Sequence, residues 1–451
     1  MSILEQVKSA PMSRAQTRAV ALCLVMNLVD GFDLLVTSFV GPTITKEWGL
    51  QASLVGVLLS SGLAGMAFGA LFLAPLADRV GRRKLVLGGL VLASLGMLAA
   101  AFAQNFGQLV ATRVVTGIAV GLMAACLPVL ASEYSSHKRR GLSVALITCG
   151  YGLGAIIAGV AASLLIGPFG WRAVFVLGAV ATAILFLVGL RSLPESMDYL
   201  IAARPRDALA RLNRILVQIG HAPVEELPAA SSAPRKVALE SLFQGRNALR
   251  TVLVWIAFIA AQTVFYFGSS WTPTLLLQAG LSAQQGISGG VLFSIGGVCG
   301  AALLGVLATR IEPRKLTAAY FGLGALALLL YSFSLGALAT ALIVGVLVGL
   351  LLNGTVSGIN VIVPIIYPAE SRATALGIAV AVSRLGAVFS PLLAGFLLQA
   401  GWAPASMFRF FAIFAVVGAV ATLALAWIAR SQTTAPRAPV APAVEGTTSQ
   451  A

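Results

Sequence analysis

Residues 28–39 read LVDGFDLLVTSF, and Asp30 and Asp33 stand there within a run otherwise free of charge. A spacing of three puts both carboxyls on nearly the same helical face, about 5–6 Å apart at Cβ. Two carboxyls this close and away from water do not both ionise readily, so one of them is suited to take up and release a proton. Three arginines, Arg113, Arg384 and Arg409, lie in equally apolar surroundings. A charged side chain at a bilayer centre costs about 2.5–3.5 kcal/mol on insertion scales, which makes each such residue a functional candidate. The alternative for the aspartates is a structural pair neutralised by arginine. For Arg384 it is a packing role, bonded to backbone carbonyls; against that, a planar fork that does not deprotonate suits two-point capture of a carboxylate. Arg113 reads equally as a proton-relay partner or as half of a structural ion pair. Arg409 sits near the end of its span, where a long side chain can snorkel to the interface.

The elements that must carry these residues are membrane helices. The chain of 451 residues is 59% hydrophobic and 10% charged, with a mean hydropathy of +0.95, too little polar surface for a water-soluble globule of this size. Apolar runs long enough to cross a hydrocarbon core of about 30 Å recur twelve times. They centre near residues 30, 63, 94, 119, 154, 181, 260, 297, 326, 350, 386 and 417, six on each side of a gap at 192–248. The first is too long and too late for a cleaved signal peptide and is expected to be retained.

The formal charge of +15 does not imply a nucleic-acid partner, because its placement follows topology. With both termini inside, 25 of the 30 Lys and Arg fall in cytoplasmic segments, two, Lys46 and Arg172, fall outside, and three lie within spans. That asymmetry sets the orientation of a multi-pass membrane protein. Cys23, Cys126, Cys149 and Cys299 lie in different spans without paired spacing, and His137 and His221 are both in loops. Neither a metal site nor a cofactor is implied, and a membrane enzyme is disfavoured.

The chain also repeats itself. APLADRVGRRK at 74–84 aligns with GVLATRIEPRK at 305–315, Arg140 with Arg372, and GLGA at 152–155 with RLGA at 384–387, all at an offset of 231 or 232. The expected fold is therefore an all-α membrane protein of twelve transmembrane helices in two pseudo-symmetric six-helix bundles, an architecture in which one half rocks against the other around a central site. The expected boundaries are 1–191 for the first bundle, 192–248 for a cytoplasmic linker, 249–430 for the second bundle and 431–451 for a disordered tail. Within the linker, DALARLNRIL has the spacing of an amphipathic helix and PAASSAP is rich in breakers; the tail is rich in Pro, Ala and Thr. The halves differ at Arg384, which stands where the first has Gly152, and at Asp78, where the second has Thr309.

These residues carry a family resemblance. LADRVGRRK after the second span, together with Arg113 in RVVTGIAVGL and the following SEYSSHKRRG, resembles the signature of the major facilitator superfamily. DGFD, GWRAVF at 170–175, YPAESRATALG at 367–377 and SRLGAVFSP at 383–391 resemble its aromatic acid:proton symporters, over residues 25 to 395. Two departures are Ala74, where the signature usually opens on Gly, and Val129, where many members have Asn. The resemblance implies a monomeric secondary carrier whose partners are protons, a small aromatic acid such as a hydroxybenzoate, and the lipid bilayer. It implies proton coupling by Asp30, Asp33 and Arg113, capture of the substrate carboxylate by Arg384, and gating by Asp78, Arg79, Arg82, Arg83, Glu133, Arg140 and Arg372, with Asp78 bonded to a neighbouring helix end and Glu133 to Arg139 or Arg140. An aromatic anion needs an apolar slot with few polar groups, for which Tyr151, Gln262, Tyr266, Asn353 and Asn360 are candidates; Trp271 is expected in the interfacial belt. The other reading is a proton symporter for a sugar, polyol or other small organic acid, since PESMDYL at 194–200 resembles a sugar-porter motif, although no PETKG-type stretch follows the last span.

Overall fold

Ser13 opens the first membrane helix with a capping box, its hydroxyl accepting from the Gln16 backbone N–H while the Gln16 side chain accepts from that of Ser13. This helix, α1 (Arg14–Trp48), ends at Gly49, whose φ of +62° closes it in the left-handed region. Almost every side chain from Val29 to Gly41 is buried, so α1 runs through the middle of a bundle instead of facing lipid. The computed structural model describes residues 3–228, 242–243 and 246–433. PAASSAP beyond Pro228 and the expected disordered tail from 434 onward lie outside the described residues.

Eleven further membrane helices follow: α2 (Ala52–Val80), α3 (Arg82–Ala101), α4 (Phe106–Glu133), α5 (Arg140–Phe169), α6 (Trp171–Ser192), α7 (Arg246–Gln278), α8 (Ala283–Leu307), α9 (Pro313–Ser334), α10 (Leu338–Ile366), α11 (Ala369–Gln399) and α12 (Pro404–Thr433). Twelve spans are thus both expected and observed among the described residues. Near its end α2 loosens into a π turn at Gly69–Leu73 and tightens into a 3-10 turn at Ala74–Leu76. Pro75 explains the change, since it has no N–H to donate and its ring crowds the carbonyl four residues back. Between the sixth and seventh spans, Met197–Ala203 and Ala208–Gln218 form short helices, and Leu212, Ile215 and Leu216 of the second pack onto the end of the first bundle.

The packing repeats as the sequence does. In the first half α1 packs on α4, α5 and α6, α4 on α2 and α3, and α3 on α6; in the second, α7 packs on α10, α11 and α12, α10 on α8 and α9, and α9 on α12. The halves meet through α2 on α11, α5 on α8 and α1 on α7, contacts that exchange with one another when six is added to or subtracted from each helix number. Apolar area does not drive helix association within lipid, so close backbone approach has to. Gly154 shows the limit: a Cβ there would lie 1.8 Å from the Leu28 carbonyl oxygen, so α5 meets α1 backbone to backbone.

Candidate functional site

The acid pair lies within the first bundle, where α1 and α4 touch. Asp30 and Asp33 are each 1% exposed and Arg113 2%. Arg113 donates through Nη1 to Asp33 Oδ1 at 2.8 Å and to the Asp33 backbone oxygen at 3.0 Å. Its guanidinium also lies over the Phe175 ring on α6, 5.0 Å from the centroid. Asp30 is treated differently. Both its carboxyl oxygens are buried with no hydrogen-bond partner among the described residues, so the two acids read alike in sequence occupy unlike settings.

Between the bundles, Leu34, Leu63, Met66, Val120, Tyr266 and Ala387 form an apolar cluster with Tyr151 and Phe265 packed against it. Helices of both halves contribute, and the cluster presents two phenols. The Tyr151 hydroxyl on α5 meets that of Tyr266 on α7 at 3.5 Å, the two bundles touching through these groups. Arg384 on α11 reaches the same region, with Nη1 3.8 Å from Met66 Sδ and Nε buried without a hydrogen-bond partner. Tyr151 also lies against α1 beside the acids: a Cβ on Gly31 would lie 2.0 Å from the Tyr151 carbonyl oxygen. Among the described residues no ion pair engages Arg384. The site is therefore a cluster of aromatic, apolar and thioether side chains between the bundles, approached by one arginine that no ion pair engages among the described residues.

The other lining candidates are less concentrated. Gln262 is buried one turn before Tyr266. Asn353 donates to the Gly297 carbonyl on α8 at 2.9 Å, and Asn360, exposed, donates to Val356 of its own helix at 3.0 Å. Trp271 is not in an interfacial belt: it is fully buried and donates to the Pro391 carbonyl at 3.1 Å, fixing α7 to α11 inside the second bundle. Arg409 donates to Ser332 Oγ at 3.2 Å and lies over the Phe333 ring, which occupies it at the rim of α9.

At the end bearing the basic loops, the gating candidates fall into two groups. Arg82 is ion-paired with Glu133, and both meet Ser196, which receives from Arg82 Nη1 at 3.1 Å and donates to Glu133 Oε2 at 2.8 Å. Arg83 donates to the Leu190 and Leu193 carbonyls at the end of α6, and its backbone N–H donates to Glu195 Oε1 at 3.0 Å. Glu133 thus pairs with Arg82, not with Arg139 or Arg140. Asp78 likewise differs from expectation: its side chain is 78% exposed and its ion-pair partner is Arg82 on the next turn, at 3.5 Å, not a neighbouring helix end. Arg79, Arg140 and Arg372 are exposed. Sequence reasoning does not find Glu195 and Ser196 as parts of this latch, although PESMDYL stands out as a motif, because the partner, Arg82, lies 114 positions away from Ser196.

The latch yields a prediction. Glu133 is 4% exposed, and removing one partner of a buried ion pair strands the other at a cost of about 3–5 kcal/mol. Glu133→Gln should lower the thermal midpoint in detergent by several degrees, whereas Asp78→Asn, which removes an exposed pair of the kind worth little, should leave it unchanged. Thermal unfolding followed by tryptophan fluorescence checks both; equal effects would mean that the latch is not where the stability lies.

At the opposite end the bundles close on one another. Ser53 N–H donates to Gln399 Oε1 at 3.2 Å, and Gln399 Nε2 to Gln51 Oε1 at 3.0 Å. Gln284 on α8 bonds to Ser163 on α5. A Cβ on Gly395 would lie 2.6 Å from the Ala52 carbonyl oxygen, and one on Gly56 2.8 Å from that of Pro391, so α2 and α11 touch there through backbone. Among the described residues, every hydrogen bond between the halves lies at this end or at the centre.

Comparisons with known proteins agree with this architecture. The family described as Major Facilitator Superfamily matches residues 23–338 and 283–449. The 4-hydroxybenzoate transporter PcaK of Pseudomonas aeruginosa is 31% identical over 88% of this chain and 89% of its own length. The gallate transporter of Pseudomonas putida is 32% identical over 89% of this chain and 90% of its own, and the 3-(3-hydroxy-phenyl)propionate transporter of Escherichia coli 32% identical over 85% and 87%. Among solved structures, a bacterial homolog of the human lysosomal transporter Spinster, in an inward-facing and occupied conformation, superposes with a TM-score of 0.71 at 15% identity, covering 95% of this chain and all of that one. The twelve spans, the paired halves and the matched sequence together make this chain a multi-pass membrane transporter, not an enzyme, belonging to the Major Facilitator Superfamily.

Proposed function

We propose that this protein is a proton-coupled carrier that imports a small aromatic carboxylate of the hydroxybenzoate type by alternating access. The observation that carries the reading is Arg384: a guanidinium with no ion-pair partner among the described residues, directed at a cluster of aromatic and apolar side chains between two bundles. A substrate carboxylate compensates that charge, and its ring occupies the slot beside Tyr151 and Tyr266. Gln262, Asn353 and Asn360 complete the polar lining. Asp30, Asp33 and Arg113 supply the coupling, and Asp78, Arg79, Arg82, Arg83, Glu133, Arg140 and Arg372 govern the gate. The names of the relatives support an aromatic acid as substrate.

The basic loops mark the cytoplasmic side of a bacterial inner membrane, with both termini inside and the functional unit a monomer. The bundles span residues 1–191 and 249–430, with a linker at 192–248 and a tail at 431–451. In that orientation the structure is closed toward the periplasm and corresponds to the state that releases substrate inward. Glu195 and Ser196 of PESMDYL serve the latch on Arg82 and Arg83, a structural role independent of the substrate.

The test is uptake into proteoliposomes with an imposed pH gradient, inside alkaline. Labelled 4-hydroxybenzoate should accumulate severalfold above equilibrium, and glucose should not. Accumulation of the sugar and exclusion of the acid would overturn the assignment. Collapse of the gradient with a protonophore should return the acid to equilibrium.

A further inference from the structure

We infer that Asp30 alone carries the transported proton, while Asp33 stays ionised as the counter-ion that positions Arg113. The division rests on the proton-coupled reading above and deepens it. Sequence makes the two acids equivalent; geometry separates them.

Asp33 is committed. Its Oδ1 and its backbone oxygen both accept from Arg113 Nη1, and Phe175 covers the guanidinium. Protonating Asp33 would leave Arg113, 2% exposed, as an unpaired cation in the bundle interior, the costly half of a broken buried pair. Asp30 has no such tie. An ionised carboxylate with neither a donor nor a cation against it is not sustained away from water, whereas the neutral acid is. The charged and titratable groups around Asp30 are Asp33 on its own helix, Arg113 on α4, Tyr151 on α5 and Tyr266 on α7, with Arg384 of α11 reaching the same cluster; among the described residues none donates to Asp30.

Tyr151 joins the two sites by contact. Its backbone lies against Gly31, next to Asp30, and its hydroxyl meets that of Tyr266 in the cluster that Arg384 approaches through Met66. A substrate carboxylate on Arg384 brings a negative charge to that cluster, and such a charge favours the neutral, protonated form of a nearby acid. Proton and anion therefore promote each other's binding, and reciprocally so. In the cycle the Asp30 O–H bond breaks after substrate departs, the proton passing to water on the cytoplasmic side, and it re-forms from periplasmic water. One proton moves with one monoanion, so the import step carries no net charge.

The experiment compares three proteins in proteoliposomes with 4-hydroxybenzoate as probe. Wild type should take up one proton per substrate, at a rate unchanged by a potassium diffusion potential. Asp30→Asn should exchange labelled for unlabelled substrate at reduced rate yet lose proton uptake at least tenfold. The paired variant Asp33→Asn/Arg113→Gln removes both charges and keeps the shape of the contact; it should turn over more slowly and keep the ratio of one proton per substrate. Infrared difference spectra follow the same question in folded protein whatever its turnover: a protonated-carboxyl band should vanish in Asp30→Asn and persist in the paired variant. Proton uptake retained in Asp30→Asn, uncoupled exchange in the paired variant, or loss of the band from that variant would overturn this assignment alone. Two protons per substrate in wild type would do the same. Wild type that moves substrate and no proton would overturn the proton-coupled reading as well.

Discussion

Arg384→Gln should lose at least tenfold in affinity for a benzoate-type acid, and Arg384→Lys should recover little of it. The guanidinium has no hydrogen-bond partner for its buried Nε and, at Nη1, only the weak acceptor Met66 Sδ at 3.8 Å. A carboxylate arriving there gains two parallel charge-assisted bonds, each stronger than a neutral one and fixed in direction by the planar fork. Lysine keeps the charge and loses the fork, and its more strongly hydrated ammonium is dearer to desolvate. The effect should be specific to the anion. Benzamide and benzoate differ by about one charge in otherwise similar rings, so the ratio of their dissociation constants should approach unity in Arg384→Gln. Quenching of tryptophan fluorescence on titration with each ligand measures this. If Arg384→Gln binds the acid as tightly as wild type, the clamp lies elsewhere, and Arg113 is excluded as its replacement only if Asp33 keeps it occupied.

Gly395→Val should reduce uptake at least tenfold without unfolding the protein. The Cβ would lie 2.6 Å from the Ala52 carbonyl oxygen and 3.0 Å from Gly56 Cα, and backbone cannot swing aside as a flexible side chain can. Overpacking of this kind costs about 1–3 kcal/mol. The burden falls on one conformation only, because α2 and α11 belong to different bundles and separate when that end opens. A bias of about 2 kcal/mol changes the ratio of two states roughly thirtyfold. The expected readout is a rise in labelling of a cysteine introduced at Ser53, with a thermal midpoint near that of wild type. Gly88→Ala, where nothing lies within 4 Å of the new Cβ, is the control and should leave labelling and uptake unaltered. Normal uptake in Gly395→Val would mean that the contact between α2 and α11 opens or relaxes without limiting transport.

The scaffold was legible because its signals are local or periodic. Span length follows from bilayer thickness, and the repeat is written in the chain at an offset of 231 or 232; the exchange-symmetric packing of α2 on α11 and α5 on α8 then follows. The intramembrane charges were legible for a similar reason, since hydrocarbon tolerates so few. What could not be read was which partner each charge meets. Asp30 and Asp33 are three residues apart, yet helix rotation gives one of them to Arg113, 80 positions away, and leaves the other alone. Glu133 has Arg139 and Arg140 near it in sequence, yet Arg82 reaches it from another helix. Trp271 resembled an interfacial anchor by position near a helix end, but α11 covers it. Periodicity fixes a face; only tertiary packing decides what covers that face.

Among the described residues, the contact that closes the end opposite the basic loops contains no ionised group. Gln51, Ser53 and Gln399 join α2 to α11, Ser163 and Gln284 join α5 to α8, and the Arg172–Glu47 pair at that end lies within the first bundle alone. Dissolved ions screen exposed charges over about 8 Å at 0.15 M and about 3 Å at 1 M, but they have little hold on neutral amides and glycine backbone. The balance between the closed and open arrangements on that side is thus insulated from the ionic strength of the medium it faces. A change in salt would leave the balance at that end as it is, and sensitivity to salt would arise instead at the opposite end, where the basic loops lie.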